Sequence, residues 1–368
     1  MTKHLKFYKM RVMKFFERND FLKELYMKQM LILVVIAMLA VPLFAEEGII
    51  IDFSLLTADI TIGDGDKPNQ NKQTLMDFSG AVGASFADRY GDIMKTSLAI
   101  ENWEVILASS ARNVQNVSHS FTREAKSKEF ETVMGVRIHF PIEPHNSWAR
   151  IKPPFDIPAY ETSTVDGDGT ITRDANADPT AKTRFESQEE NSPAFGVIKN
   201  VGAIREVKVR VYGLNFPHGL TTILIDQLGN ERSMFMGYLA FEEWNELIWR
   251  NPAYMTEVRN RELRLYPLYP YSTPFIKFGG FLIQRDAAKI GGDFVTYFKD
   301  VSLIYDLAVL TPERDIDDEG TWNIIQTRED ARKVWEMERF GFNQVLRYQE
   351  QQRQATEAPF NDESRRQQ

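Results

Sequence analysis

Between Gly196 and Asp306 the chain reads as one strand after another, and that rhythm limits the fold more than any other feature. From Glu206 to Tyr212 polar residues alternate with β-branched ones at period two, the mark of a strand with one buried face and one wet face. Leu220 to Ile225 supplies a second strand. Asp226 to Asn230 supplies a turn, and Ser233 to Leu239 a returning strand. Phe275 to Ile283 and Val295 to Tyr305 add two more, separated by the loop Arg285 to Asp293 with its Gly291-Gly292 pair. Short strands rich in Val, Ile, Tyr and Phe predict a mainly β protein. The expected form is an antiparallel β-sandwich, jelly-roll and galactose-binding-like, with a C-terminal helical tail. Such a scaffold suits binding or assembly and names no reaction.

The N-terminus sets the compartment. Met27-Lys28 precedes the apolar run Met30 to Ala40, then Val41 to Ala45 and the pair Glu46-Glu47. A basic start, a short apolar stretch and a small residue before polar sequence describe a secretory signal peptide, with cleavage after Ala45. The run falls short of the ~20 residues of a membrane span. Residues 1–26 read as a start codon placed too early, with Met27 the true start. The leader holds eight Lys/Arg and three Asp/Glu, so it carries +5, and the remainder carries −13 of a chain that totals −8. An exported acidic chain without a basic stripe is a poor nucleic-acid binder. There are no cysteines, which removes disulfides, thiol catalysis and Cys-ligated zinc.

The sandwich domain is expected over 46–310. Gly48 to Phe53 opens it, and Asp64 to Asn71 is a polar loop. Thr132 to Phe140 is a strand with Arg137 and His139 on its wet face, ended by Pro141. The prolines that follow Asn146 favour extended backbone. A polar surface loop is expected at about 161–193. Residues 311–368 divide into the acidic hinge Asp315 to Glu319, a helix from Thr321, and a disordered tail. Val334, Trp335, Phe340, Val345, Leu346 and Tyr348 give the helix a loose apolar stripe.

Chemistry-bearing constellations are sparse. Aligning Gly169 with the glycine of an EF-hand loop puts Asp166 and Asp168 at ligand positions three and five and Ile171 at position eight. The ends fail, because Thr164 and Ala175 stand where anionic ligands belong. An acidic Gly-rich turn is the favoured reading over a calcium site. His119, His139, His145 and His218 show no metal-ligand spacing and read as solvated or satisfied, with His218 in a turn. No Gly-x-Ser-x-Gly elbow, phosphate loop or Gly-x-Gly-x-x-Gly occurs. No catalytic, cofactor-binding or metal-binding residue is assigned, and no cofactor is expected. Trp148, Trp244 and Trp249 could form a sugar platform, but packing into the core is favoured.

Four unusual strings, Asn146 to Phe155, Tyr212 to His218, Arg259 to Pro270 and Gly291 to Tyr297, resemble the outer-layer (sheath) protein family of spirochaete periplasmic flagellar filaments. The export signal and the acidic run at Asp315 fit as well. The likeness covers Glu46 to about Trp322, while the start before Met27 and the insertion Asp166 to Asp178 depart from it. It implies a non-enzymatic structural subunit that coats the filament in the periplasm and contributes to stiffness or shape, and so to motility. The implied partners are core flagellins and other copies of itself or related sheath proteins, with no nucleic acid and no membrane after signal cleavage. Tyr266 to Tyr271 is a candidate contact loop, because Tyr and Pro bury area at little entropic cost. The alternative is a periplasmic carbohydrate-binding β-sandwich module. A calcium-regulated adhesin is a third reading.

Overall fold

The computed structural model describes residues 46–60, 69–78, 95–161, 163–173, 182–189, 192–263, 274–289, 291–308 and scattered positions from 316 to 346. The leader, the Tyr266 contact loop and the end of the tail lie outside this set. In chain order the first strands are β1 (Glu46–Asp52), β2 (Met76–Asp77), β3 (Lys95–Thr96), β4 (Glu104–Leu107), β5 (Phe121–Lys126) and β6 (Thr132–Phe140). β7 (Ser147–Lys152), β8 (Ser163–Val165), β9 (Ile171–Arg173), β10 (Val197–Lys199) and β11 (Val201–Leu214) follow. β12 (Gly219–Asp226), β13 (Glu231–Tyr238), β14 (Glu242–Arg250), β15 (Phe275–Arg285) and β16 (Gly292–Leu307) complete the set. Among the described residues the α-helices include α1 (Val114–Ser118), α2 (Tyr254–Leu263) and α3 (Asp318–Trp322), and helical positions recur from 324 to 346, where a C-terminal helix is expected.

The expected antiparallel sandwich is present. The first sheet has the order β14-β11-β16-β6-β5 with β1 beside β16, and the second has β13-β12-β15-β7-β4 with β10 beside β15. The two orders run in step. Chain neighbours β13/β14, β11/β12, β15/β16, β6/β7 and β4/β5 hold matching places in opposite sheets. The chain thus keeps crossing between layers, as a jelly roll does. β16 is long enough to serve two partners on one edge: Gly292–Phe298 pairs with β6, and Asp300–Tyr305 pairs with β1. β15 does the same, with β7 along Phe281–Arg285 and β10 along Phe275–Lys277.

Alternation assigns the core. Val207, Val209 and Val211 of β11 are fully buried and share one core cluster with Leu220 and Leu224 of β12 and Phe278, Phe281 and Ile283 of β15. Phe281 and Phe298 stack with ring centroids 4.1 Å apart, joining the centres of the two sheets. Phe53 and Trp103 pack edge-on at 5.4 Å, and the indole N–H of Trp103 donates to the Leu98 carbonyl at 2.9 Å, so its polar handle is satisfied.

Residues 194–196 tie the layers at one side. Ala194 and Gly196 amides donate to the Ile49 and Ile50 carbonyls of β1, and the Gly196 carbonyl accepts from Phe278 of β15. Gly196 has φ +107°, and a Cβ there would lie 2.2 Å from Ile157 Cδ1, so only glycine fits. Within the stretch expected as a polar surface loop, β8 and β9 form a hairpin, and Phe185 is completely buried. Helix α2 has no apolar stripe to announce it. It is started by Asn251, whose side chain accepts from the Ala253 amide, and held by the Tyr254 hydroxyl donating to Asp306 at 2.9 Å.

Candidate functional site

The sandwich presents two outer faces, and their side chains follow from register. On the first sheet Lys208, Arg210 and Tyr212 of β11 point outward, because Val207, Val209 and Val211 point in. Their partners complete ion pairs across the strands. Arg250 lies 3.3 Å from Glu206, Lys208 2.7 Å from Glu47, and Arg210 3.4 Å from Asp300. Arg137 and His139 each approach Asp293 at 3.0 Å, on the wet face the alternation of β6 predicts. Hydrogen bonds from His139 and Arg137 hold the Asp293 carboxyl below the usual carboxylate range. A row of rings crosses the same face: Phe130 meets Trp244 at 5.0 Å, Trp244 meets Tyr212 at 5.3 Å, and Tyr212 meets Tyr297 at 5.9 Å.

Asp300 is the buried carboxylate of this network. It is buried beside Lys299, which donates to Asp52 at 2.5 Å and to the Ser54 hydroxyl at 2.8 Å. Burial pushes the Asp300 carboxyl up to about 6 against the pull of Arg210 and Lys299.

The second sheet differs. Ser147, Ala149 and Ile151 of β7 are buried, so Trp148, Arg150 and Lys152 face out. Trp148 is 42% exposed, Phe235 46% and Tyr238 56%. Phe235 and Tyr238 meet edge-on at 5.3 Å, and the Phe235 ring lies over Gly219, where a Cβ would sit 2.9 Å from it. Arg150 reaches across the face to Glu231 in a two-pronged pair, with contacts of 2.7 and 3.2 Å. Ile106 of edge strand β4 is exposed alongside.

The expected core packing of the three tryptophans is therefore corrected for two of them. Trp249 is on the inner face of β14, opposite the buried Val207. Trp244 is on the outer face of the first sheet, half-buried under Phe130 and Tyr212. Trp148 is bare, because the short residues on either side of it take the inward positions. Phe235, Tyr238 and Gln284, on the same face, are not singled out by the sequence. The available signal was the unbroken apolar run Met234-Phe235-Met236 in an edge strand, which must expose one of its two faces.

His218 is also corrected. It is 2% exposed, neither ring nitrogen has a partner, and the ring sits among Phe294 (4.7 Å), Phe140 (5.1 Å) and Phe216 (5.9 Å). Burial lowers its pKa to about 4, with the Arg285 cation adding to the effect. Arg285 is itself buried, and its guanidinium donates to the carbonyls of Pro141, Glu143 and Lys289. His119 Nδ1 contacts the Gln115 carbonyl at 2.8 Å, while His145 Nε2 is buried without a partner.

Asp166 and Asp168 occupy the tip of the β8–β9 hairpin. The Gly169 amide donates to the Asp166 carbonyl, and the Asp166 amide donates to the Thr170 carbonyl, each at 3.0 Å. Gly169 takes φ +77°, as a tight hairpin requires. Thr164 is within β8, and Ala175 lies outside the described residues. Among the described residues no group of three or more His, Asp or Glu converges on a point, and no helix is long and apolar enough to cross a membrane.

Solved structures with a related outline include TmCBM61 in complex with β-1,4-galactotriose, at 11% identity, TM-score 0.24, covering 55% of this chain and 88% of that one. Another is a family 11 carbohydrate-binding module of a Clostridium thermocellum cellulase, at 9% identity, TM-score 0.24, covering 58% and 91%. Likenesses this slight carry no argument about a ligand. Sequence comparison is far stronger. Residues 67–314 match the family described as flagellar filament outer layer protein FlaA. A Treponema pallidum protein named flagellar filament outer layer protein is 44% identical over 91% of this chain and 96% of its own length. A Spirochaeta aurantia protein of the same name is 43% identical over 86% and 90%. One from Borreliella burgdorferi is 30% identical over 83% of each. This chain belongs to the flagellar filament outer layer protein family.

Proposed function

We propose that this chain is a structural, non-enzymatic subunit of the sheath that coats the periplasmic flagellar filament. The observation that carries the reading is the 44% identity to a flagellar filament outer layer protein over nearly the whole of both chains. The leader is removed after Ala45, and the acidic remainder packs against core flagellins and against copies of itself, contributing stiffness or shape to the filament. Its architecture supports this. Two sheets locked face to face make a rigid unit, and the edge strand β14 carries Glu242, Glu243 and Glu246, charges that discourage indiscriminate strand pairing. The C-terminal segment leaves Trp322, Val334 and Trp335 exposed, which suits docking on a neighbour.

The test is sedimentation. Purified chain beginning at Glu46 pellets saturably with filaments stripped of their native coat, and the same chain ending before Thr321 pellets less. A chain that stays in the supernatant with stripped filaments contradicts the reading.

A further inference from the structure

We propose that the outer face of the second sheet binds a neutral saccharide along the row from Trp148 to Tyr238. Register builds that row. Trp148 pairs with Gln284, Gln284 with Gly219, and Gly219 with Tyr238, so all four lie on one face of β7, β15, β12 and β13. Three strand intervals of about 4.8 Å make the row about 14 Å long, a span suited to a short oligosaccharide. Rings stand at both ends, Trp148 at one and Phe235 with Tyr238 at the other. Between them lie the exposed Gln284 amide, which both donates and accepts, and Gly219, which adds no side chain of its own.

Sugar rings have apolar C–H faces and a rim of hydroxyls. They therefore need aromatic surface interleaved with hydrogen-bonding groups, and this face supplies that mixture. A purely apolar protein anchor would cover Gln284 without satisfying it. Charge argues for a neutral ligand. The charged side chains here are matched, Arg150 with Glu231 and Lys152 with Asp156, so no single-sign field awaits an acidic sugar. The face keeps its shape without a partner because Phe235 packs on Gly219 and Arg150 is held by Glu231 at its two terminal guanidinium nitrogens.

Saccharide binding at this face does not depend on filament coating, and the free chain reports it. The chain from Glu46 is assayed against gluco-, galacto-, manno- and N-acetylglucosamine-type tetrasaccharides, each free and coupled to serum albumin. Binding to at least one neutral tetrasaccharide is expected, insensitive to salt. Trp148→Ala should weaken it by about tenfold or more, since one stacked ring is worth about one such factor. Gln284→Ala should weaken it as well, and Ile248→Ala on the opposite outer face should leave it unchanged. Equal affinity for free and coupled sugar assigns recognition to the saccharide alone, as for a polysaccharide. A preference for the coupled form assigns it to a protein-borne glycan. Absence of binding to every neutral tetrasaccharide overturns the proposal, as does binding that survives both Trp148→Ala and Gln284→Ala in variants that melt normally.

Discussion

Trp244 and Trp148 stand on opposite outer faces of one sandwich and meet different surroundings. Trp244 is wedged between Phe130 and Tyr212 on a face whose charges close on one another in ion pairs. Trp148 has short buried neighbours in its own strand and an open ring, on a face where Phe235 and Tyr238 are equally open. Both faces are built from the same alternation, so the difference lies in what each has been given to cover. The first sheet completes its outer layer from within the chain. On the second face Trp148, Phe235 and Tyr238 stay exposed, at 42%, 46% and 56%.

The largest effect should come from the core that both faces share. Phe281→Ala removes the ring stacked on Phe298 and the contacts to Phe53 and Phe278, and should cost about 3–5 kcal/mol. Chemical denaturation reads that loss, and a variant as stable as the parent would mean that the two sheets are not locked through this pair.

Acid separates two buried groups with opposite signs. His218 is held neutral in the fold with a pKa of about 4, against about 6.5 unfolded, so the unfolded chain binds more protons between those values. Stability contributed by neutral His218 is complete above pH 6.5 and falls by up to about 3 kcal/mol as pH drops to 4. Asp300 has its folded pKa raised to about 6, against 3.8 unfolded, so the folded chain binds more protons in that window. Its ionisation costs up to about 3 kcal/mol above pH 6, relieved as pH falls toward 3.8. The two contributions nearly cancel in the parent. His218→Phe should leave a protein that gains stability from pH 6 to 4, and Asp300→Asn one that loses it. Urea midpoints at four pH values distinguish them, and parallel curves for both variants would refute the assignment.

A smaller effect compares the tryptophans directly. Trp244→Ala should cost about 1–3 kcal/mol through lost packing and ring contacts. The smallest is Trp148→Ala, within about 0.5 kcal/mol of the parent, as for a surface substitution touching little. Equal melting shifts for the two would erase the distinction between the faces.

Much of the fold is legible in the sequence, for physical reasons. β6 can be read from Thr132 to Phe140 because Arg137 and His139 alternate with buried Val136, Ile138 and Phe140 in its second half and Pro141 ends the ladder. β11 is legible from its alternation, and β12 from a short run of apolar and β-branched residues that ends at the Asp226–Asn230 turn. β14 is harder, since an edge strand exposes part of both faces, and Trp244 and Trp249 look alike until register places them on opposite sides. His218 is illegible in isolation. Its neighbours Pro217 and Gly219 signal a turn, while its burial is set by Phe140 and Phe294 from distant strands. The Trp148–Tyr238 row has four members on four strands, and nothing in their spacing joins them before the sheet order is known.

The most direct test of the coat assignment is mass spectrometry of periplasmic flagella purified from the native cell, before and after a mild acid wash. An abundant peptide beginning at Glu46, released by the wash, is the expected result. Absence of the protein from the filaments, with free protein in the periplasm, would contradict it.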